Sequence, residues 1–455
     1  MRAGALGIAL TIVLVALAGC TVGPNYHRPS VDVPASFRNA DQTSSAPSLG
    51  SERWWDVFKD AELQKLIRTA IPQNYDVKIA ASRILEAQAQ VSITRSQQFP
   101  QINGTAGYLG QKIPFFGFAA FELQGAFSWN IDFWGQYRRA TEAARANLLA
   151  ADWNQKLVLN TLVTDIATAY FQLRELDLEL EIAKRTLSSR QESLQLTNTL
   201  ERGGATSLLD VRQAEQLVET AAETIPETER QIGVLEDTLS TLMGENPHDI
   251  PRGLALTEQP IPEAIPAGLP SELLERRPDI RQAEQQLIAA NAQIGVARAQ
   301  FFPTLPLTGA GGAESTHLAG LFLGSAWSFT APLTQPIFTA GKLRGNLKLA
   351  EAQEQQALLT YQQTIQQAFR QVSDALIGYA KYRQFREHQD ALTTAAQGAA
   401  NLSDMRYRGG AASYLEVLTN ETNYFAAELN LARARLSERL SLVQTYSALG
   451  GGWEQ

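Results

Sequence analysis

The stretch RGGATSLLDV at residues 202–211 returns as RGGAASYLEV at residues 408–417, an offset of 206 residues. Both copies place an arginine before two glycines and end on leucine, an acidic residue and valine. Other residues repeat along with them: the offset of 206 also relates Gly135 to Gly341 and Gly244 to Gly450, and an offset of 203 relates Asp76 to Asp279. A period this long indicates one large unit written twice, because solenoid repeats recur every 20–50 residues or so.

A very long helix is predicted before each turn. Residues 136–201 contain neither proline nor glycine and would form a helix of roughly 100 Å. Apolar residues recur at alternating steps of three and four, the pattern of a coiled-coil seam: Leu159, Leu162, Ile166, Ala169, Leu173, Leu176, Leu180, Ala183 and Leu187. The opposite face is polar, and we interpret Glu179 and Glu181 as part of a solvated surface. In isolation the segment could equally be a soluble coiled-coil spacer.

Two further kinds of helix are predicted in each unit. Helices at 74–98 and 278–300 are each followed by a Phe-Pro pair, and proline ends a helix. Return helices follow the turns at 207–243 and 413–449. Pro226 lies inside the first return helix and is expected to kink or break it.

Between the shorter helix and the long helix, each unit carries strand patterns. Residues 121–133 alternate, with apolar side chains at odd positions and polar ones at even positions. Residues 321–333 alternate similarly, and shorter strands are predicted at 101–110 and 304–311. The pattern alone also fits a sheet with one face on a soluble core. Four strands are too few to close a membrane barrel, so either the sheet is soluble or several chains share one barrel; three chains would give twelve strands.

The N-terminus resembles a lipoprotein signal. A positive start is followed by about fifteen apolar residues and by Leu-Ala-Gly before Cys20, the only cysteine of the chain. We expect residues 1–19 to be a signal peptide and Cys20 to carry a covalent lipid. The alternative is an ordinary secretion signal with a chance cysteine. Thr21 rather than aspartate follows, which favours sorting to an outer membrane.

Composition argues against several classes of protein. The 455 residues carry 39 lysines and arginines against 47 acidic residues, a net charge of −8, which disfavours nucleic-acid binding. The four histidines have no metal-ligand spacing, and phosphate-binding loops and nucleophile motifs are missing from the sequence. We therefore expect neither an enzyme nor a cofactor or metal protein.

Proline and serine content marks the expected boundaries. Six prolines between residues 246 and 270 indicate a linker between the repeats, and residues 39–51 indicate another after the anchor. The expected organisation is a signal peptide at 1–19, an anchored segment at 20–58, a first repeat at 59–245, the linker at 246–270, a second repeat at 271–450 and a tail at 451–455.

Several motifs carry a family resemblance. They are GCTVGPNY at 19–26, WWDVFKD at 54–60, ERRPDI at 275–280 leading to FFP at 301–303, the two turns, and GGGW at 450–453. Together they resemble the outer membrane factor family of tripartite efflux pumps, the TolC-like channels, and within it the lipidated NodT-type branch. The resemblance covers almost the whole chain beyond the signal peptide.

The resemblance implies a mainly α protein with a membrane β part. Three copies would form a 12-stranded β-barrel in the outer membrane of a Gram-negative bacterium and a periplasmic α-helical barrel. The trimer would be a passive exit duct for drugs, toxic compounds or ions, driven by an inner-membrane resistance-nodulation-division pump through a periplasmic adaptor protein. The alternative is a periplasmic coiled-coil scaffold lipoprotein without a pore.

The resemblance also implies site residues. The two turns would be the tips on which the adaptor docks: Arg202, Gly203, Ser207, Leu209, Asp210, Val211, Arg408, Gly409, Ser413, Leu415, Glu416 and Val417. At the second tip, Tyr407 and Arg408 match residues that hold the helices together, and Leu415 matches a leucine that plugs the pore. Thr419 stands where some relatives have an aspartate ring, so we predict a mainly hydrophobic gate.

Within the strands, the polar face of 121–133 is expected to line the lumen. Its candidate residues are Glu122, Gln124, Asn130 and Asp132. Glu122 and Asp132 would give six carboxylates in a trimer and hence a cation preference. Phe115 and Phe116 are expected at the tip of an extracellular loop.

Overall fold

The computed structural model describes residues 21–38, 48–262 and 265–453. Cys20, the signal peptide and most of the 39–51 linker lie outside the described residues. The chain forms two compact units, and each draws on both sequence repeats. Of the described residues, one unit comprises those up to 31, 81–153 and 281–364, and the other comprises those within 32–80, 154–280 and 365–453.

The elements follow the order predicted for a duplicated unit. The helices are α1 (Trp54–Val57), α2 (Ala61–Gln73), α3 (Tyr75–Ser96), α4 (Gln136–Arg202), α5 (Leu208–Leu242), α6 (Pro270–Arg276), α7 (Pro278–Ala299), α8 (Lys342–Arg408) and α9 (Tyr414–Ala448). The strands are β1 (Gln101–Ile113), β2 (Phe116–Asn130), β3 (Pro306–Ser315) and β4 (Ser325–Thr330). None of the described helices combines the length and the hydrophobicity that crossing a membrane requires.

The strands of the described chain form one antiparallel sheet in the order β1-β2-β3-β4, with two strands from each repeat. Phe127 of β2 pairs with Gly309 of β3, which pairs in turn with Phe329 of β4. A Cβ at Gly309 would lie 2.3 Å from the Phe127 ring, so glycine is needed for the ring to cover the neighbouring strand. The Gln124 amide donates to the Glu122 carboxylate over 3.2 Å, which confirms that these two polar residues share one face.

Two strands have bounds that differ from those the alternation suggested. β2 ends at Asn130, so the prediction that Asp132 lies on the strand is wrong. Its carboxylate accepts a hydrogen bond from the backbone N–H of Arg138 over 2.9 Å and so stabilises the first turn of α4. In the second repeat, residues 318–320 form a 3₁₀ turn and β4 begins only at Ser325.

The observed ends of the predicted helices lie within about two residues of the predicted ones. The expectations for Glu179 and for Pro226, in contrast, are wrong. α4 and α8 each contain 67 residues, and the seam residues Ile166, Leu173 and Ala183 are fully buried. The polar face is not uniformly solvated: Glu181 is exposed as predicted, but Glu179 is buried. The cause is that α9 packs on this face and places Arg433 beside Glu179.

Pro226 does not break its helix. α5 runs without interruption from Leu208 to Leu242, with Pro226 inside it. A proline removes one N–H donor, and the turns on both sides are held by packing, since Ala221 and Thr228 are buried. Tertiary contacts therefore outweigh the local cost of the proline.

The proline-rich segment that the sequence indicated as a linker is packed onto the helices. Its Ile250 and Leu256 are buried. The buried carboxylate of Asp60, before α2, accepts hydrogen bonds from Leu254 N and from the Gln259 amide over 2.9 and 2.6 Å. Residues 250–259 are thus held against the helices, and α6 begins at Pro270.

Candidate functional site

The two tips share one backbone conformation. At the first, Gly204 N donates to Glu201 O and Ala205 N donates to Leu200 O, both over 2.8 Å. At the second, the equivalent bonds run from residues 410 and 411 to residues 407 and 406, over 2.9 and 2.8 Å. This pair of bonds is the Schellman motif, which satisfies carbonyl groups at the end of a helix.

The motif depends on the second glycine of each pair. Gly204 and Gly410 have φ of +73° and +70°, a left-handed conformation that residues with a Cβ rarely adopt. Gly203 and Gly409, which the sequence analysis selected, do not have positive φ. The Gly-Gly pair alone does not tell which member ends the helix, because this depends on where the last helical hydrogen bond forms.

The first tip is closed by a capping box at the start of α5. Ser207 Oγ accepts from Asp210 N over 3.3 Å, and Asp210 Oδ2 accepts from Ser207 N over 3.0 Å. The same oxygen accepts from the hydroxyls of Ser207 and Thr206. Partial burial acts to raise the pKa of Asp210, but these hydrogen bonds outweigh it and hold the pKa below its ordinary value.

The second tip is built from weaker contacts. Among the described residues, Ser413 forms no side-chain hydrogen bond that caps α9. Glu416 instead reaches Arg406 of α8, with Oε1 3.5 Å from Nε. The sequence difference behind this is visible: Ala412 replaces the threonine of the first tip, and Glu416 is one methylene longer than Asp210.

The residues of the repeated Arg…Leu-acidic-Val pattern include both buried and exposed side chains. Val211 and Val417 are buried, and they hold the return helices in place. Leu209 and Leu415 are 65% and 57% exposed, and the two tip arginines are exposed as well. Of the predicted docking residues, the leucines and arginines are therefore available to a partner and the valines are not.

A cluster just behind the second tip joins four helices. Tyr414 and Val417 of α9 and Ala214 of α5 are buried together, and Leu194 of α4 and Tyr407 of α8 pack against them. The Tyr407 and Tyr414 rings lie 5.3 Å apart, edge to face. Tyr407 thus contributes to holding the helices together.

Arg408 is not part of this packed cluster, although its charge acts on Glu421 of α9. Its Nε lies 2.8 Å from Asp404 Oδ2, one turn earlier on the same helix. Within the described chain, the predicted pair therefore separates into Tyr407, which packs between helices, and Arg408, which pairs along its own helix and remains exposed.

Arg190 is a residue of this region that the sequence analysis missed. It is 3% exposed, donates from Nη1 to Leu217 O over 2.7 Å, and lies 4.8 Å from the centre of the Phe425 ring. Burial lowers the pKa of its guanidinium, while Glu421 and Tyr414 act in the opposite direction. The available signal was an arginine three residues after Leu187, at the next position of the apolar seam.

The strand candidates lie in the other unit. Glu122 and Gln124 share a face of β2, whereas Asn130 ends the strand and donates to the Tyr137 hydroxyl over 3.2 Å. Phe115 is fully exposed, with φ of +77°, in the turn between β1 and β2. Among the described residues, no group of three or more His, Cys, Asp or Glu could hold a metal ion.

Comparisons with known proteins give a consistent result. The family model described as outer membrane efflux protein matches residues 66–245 and 269–451. The chain is 36% identical over 458 residues to the solvent efflux pump outer membrane protein SrpC of Pseudomonas putida, covering 97% of each protein. It is 33% identical over 451 residues to the cation efflux system protein CusC of Escherichia coli O6:H1, covering 97% of this chain and 98% of CusC. The open-state structure of the Neisseria gonorrhoeae MtrE outer membrane channel matches with a TM-score of 0.88 and 32% identity, over 96% of this chain and 99% of MtrE.

Proposed function

The chain belongs to the outer membrane efflux protein family, and on this premise we propose that three copies form a passive exit duct for small molecules. The observation that supports this proposal is the state of the β-sheet edges and of its apolar face. Its edge strands β1 and β4 have no partner on their outer sides within the described chain. Apolar side chains such as Ile102, Tyr108 and Trp327 are 79%, 63% and 82% exposed. Strands of further copies would pair with both edges and close a barrel, and lipid would cover the apolar face.

The rest of the assembly follows from the same proposal. A covalent lipid on Cys20 anchors each copy to the outer membrane, and the helices extend into the periplasm. The exposed arginines and leucines of the two tips dock a periplasmic adaptor, and through it an inner-membrane resistance-nodulation-division pump supplies the energy. The duct itself performs no chemistry and holds no cofactor beyond the lipid.

The gate lies at the second tip. Leu415 is exposed in the first turn of α9, a helix that lacks a side-chain cap within the described chain. Three copies of this leucine form an apolar constriction that disfavours water. Within the barrel, Glu122 gives the lumen three carboxylates, because Asp132 lies beyond the strand. The cation preference therefore rests on one ring rather than two.

Planar-bilayer conductance of the purified protein, with its mass in detergent, tests the proposal. We expect a trimer whose openings are small or rare in the wild type and larger in Leu415→Ser. A monomer without conductance in either form would instead favour a scaffold lipoprotein. Cys20→Ser with a cleavable signal separates the two readings independently, since a barrel still needs detergent for extraction and a merely anchored scaffold does not.

A further inference from the structure

Two carboxylates are buried side by side in the helical region. Glu175 and Glu179 lie one turn apart on α4 and are 5% and 6% exposed. Arg433 of α9 places its Nε 2.8 Å from Glu179 Oε1, and its own side chain is mostly exposed. The charged groups acting on Glu175 are Glu179 and Arg433, so two buried acids share one cation. Like charges at this spacing repel, and burial strengthens the repulsion.

An unpaired carboxylate oxygen indicates that a proton binds between the two acids. Within the described chain, Glu175 Oε1 is buried and has no hydrogen-bond partner. The Glu179 carboxyl is in hydrogen-bonding reach of Glu175, yet two ionised carboxylates cannot donate to each other. One proton on Glu175 supplies the donor and removes one of the two like charges. Burial, followed by the charge of Glu179, raises the pKa of Glu175 to about 8, with Arg433 opposing.

The pair lies where the two repeats meet. One turn further along α4, Ile182 is buried against Phe425 and Ala432 of α9, with Leu178 and Leu429 packed around them. α4 belongs to the first repeat and α9 to the second. The charge state of the pair therefore acts on the contact between the two helical hairpins.

We propose that Glu175 and Glu179 form a proton-binding site that holds one shared proton near neutral pH, and that losing this proton loosens the contact between α4 and α9. This site goes beyond the exit-duct function and does not depend on it. The sign follows from linkage. The folded chain binds the proton more tightly than the unfolded chain, so the contact is strongest at low pH and weakens as pH rises toward the folded pKa.

Infrared spectroscopy of the purified full-length protein tests the site. A protonated buried carboxyl has its own carbonyl-stretch band, which we expect near neutral pH and expect to fade as the pH rises further, because the pKa of Glu175 is raised. Glu175→Gln should abolish this titrating band, and the exposed Glu181→Gln on the same helix should leave it intact. No such band in the wild type, or a band that persists in Glu175→Gln, overturns the proposal.

Amide hydrogen exchange tests the consequence. Expressed as protection factors, exchange in residues 175–183 and 425–433 should become at least several-fold less protected between about pH 6 and pH 9 in the wild type. Glu175→Gln should remove this dependence. If that variant does not fold, Glu179→Gln serves instead, and the band's midpoint should fall because the neighbouring negative charge is gone. Protection that is independent of pH, or a midpoint unmoved in Glu179→Gln, contradicts the proposal. Neither measurement involves conductance, so this inference and the exit-duct proposal fail separately.

Discussion

Arg277 donates from Nη1 to the carbonyl oxygen of Ala448, the last residue of α9, over 2.9 Å. In the first repeat, Asn74 Nδ2 donates to the carbonyl oxygen of Leu242, the last residue of α5, also over 2.9 Å. The two donors and the two acceptors are related by the same offsets as the sequence repeat. Carbonyls at a helix C-terminus lack helical partners and favour a positive charge. In both repeats a side chain thus hydrogen-bonds to the last carbonyl of the return helix, but this side chain is positively charged in the second repeat and neutral in the first.

We predict that Arg277→Ala releases the end of α9. The guanidinium also pairs with Asp279 through two hydrogen bonds of 3.0 and 2.7 Å, and hydrogen bonds of charged groups contribute about 1.5–3 kcal/mol each. Amide exchange in residues 442–451 should accelerate by more than tenfold. Asn74→Ala is the matched variant, with a smaller effect in residues 236–245. It should also accelerate exchange at the start of α3, because Asn74 Oδ1 accepts from Asp76 N and Val77 N over 2.8 and 3.1 Å. Equal effects at both sites would contradict the role assigned to the charge.

We predict that the two tip leucines differ in function although they match in sequence. Leu415→Ser should raise single-channel conductance or open probability, because it places a hydroxyl in the apolar constriction of the proposed trimer. Leu209→Ser changes the equivalent residue of the first tip, which is similarly exposed, and should leave conductance unchanged. Bilayer recordings of both variants check this. An increase in Leu209→Ser equal to that in Leu415→Ser would place the gate elsewhere.

The two cap serines should also behave differently. Ser207→Ala removes a hydrogen-bonded cap and should destabilise the start of α5 by about 1 kcal/mol. Ser413→Ala should cost little, because its hydroxyl caps no backbone N–H within the described chain. Exchange rates of the first turns of the two return helices measure both effects. A larger loss at Ser413 would argue against the asymmetry of the tips.

The first tip should loosen in acid. The pKa of Asp210 is lowered from its ordinary value of 3.8, so this group stabilises the folded tip above that pH. The contribution disappears as pH falls through the lowered pKa. Protection of residues 207–212 should therefore drop below about pH 4 in the wild type. Asp210→Asn should be less protected at neutral pH and should lack this acid transition, and a transition that remains would assign it to another group.

Left-handed backbone predicts which tip glycines are sensitive. Gly204→Ala and Gly410→Ala should each destabilise their turn by about 1 kcal/mol, because φ is +73° and +70°. A Cβ there meets nothing within 4 Å, so backbone conformation is the cause. Gly203→Ala and Gly409→Ala are the controls and should be nearly neutral. The test is local amide exchange at each turn, and sensitivity at the first glycines would refute the assignment.

Asp60 should control how the proline-rich segment is held. Its Oδ2 accepts from the Tyr170 hydroxyl, Leu254 N and the Gln259 amide, over 2.9, 2.9 and 2.6 Å. Asp60→Asn places an amide among these donors and should destabilise the site by about 2–3 kcal/mol. Limited proteolysis within residues 246–262 should become faster. The exposed Asp56→Asn is the control, and equal proteolysis in both variants would show that the segment is held otherwise.

Several features of this fold are determined by local sequence. The duplication follows from repeated residues, and the length of α4 follows from the lack of proline and glycine between residues 136 and 201. Alternating side chains located the sheet, because a strand has a period of two whatever it packs against. These features need few long-range contacts to be specified.

Tertiary structure decided the rest. Which glycine ends the helix, why Asp132 leaves the strand and why α5 continues through Pro226 all depend on hydrogen bonds or packing that periodicity does not encode. The buried Glu175 and Glu179 illustrate this most clearly. On α4 alone they lie on a polar face, and only the packing of α9, about 250 residues away in sequence, turns that face inward and makes their charge costly.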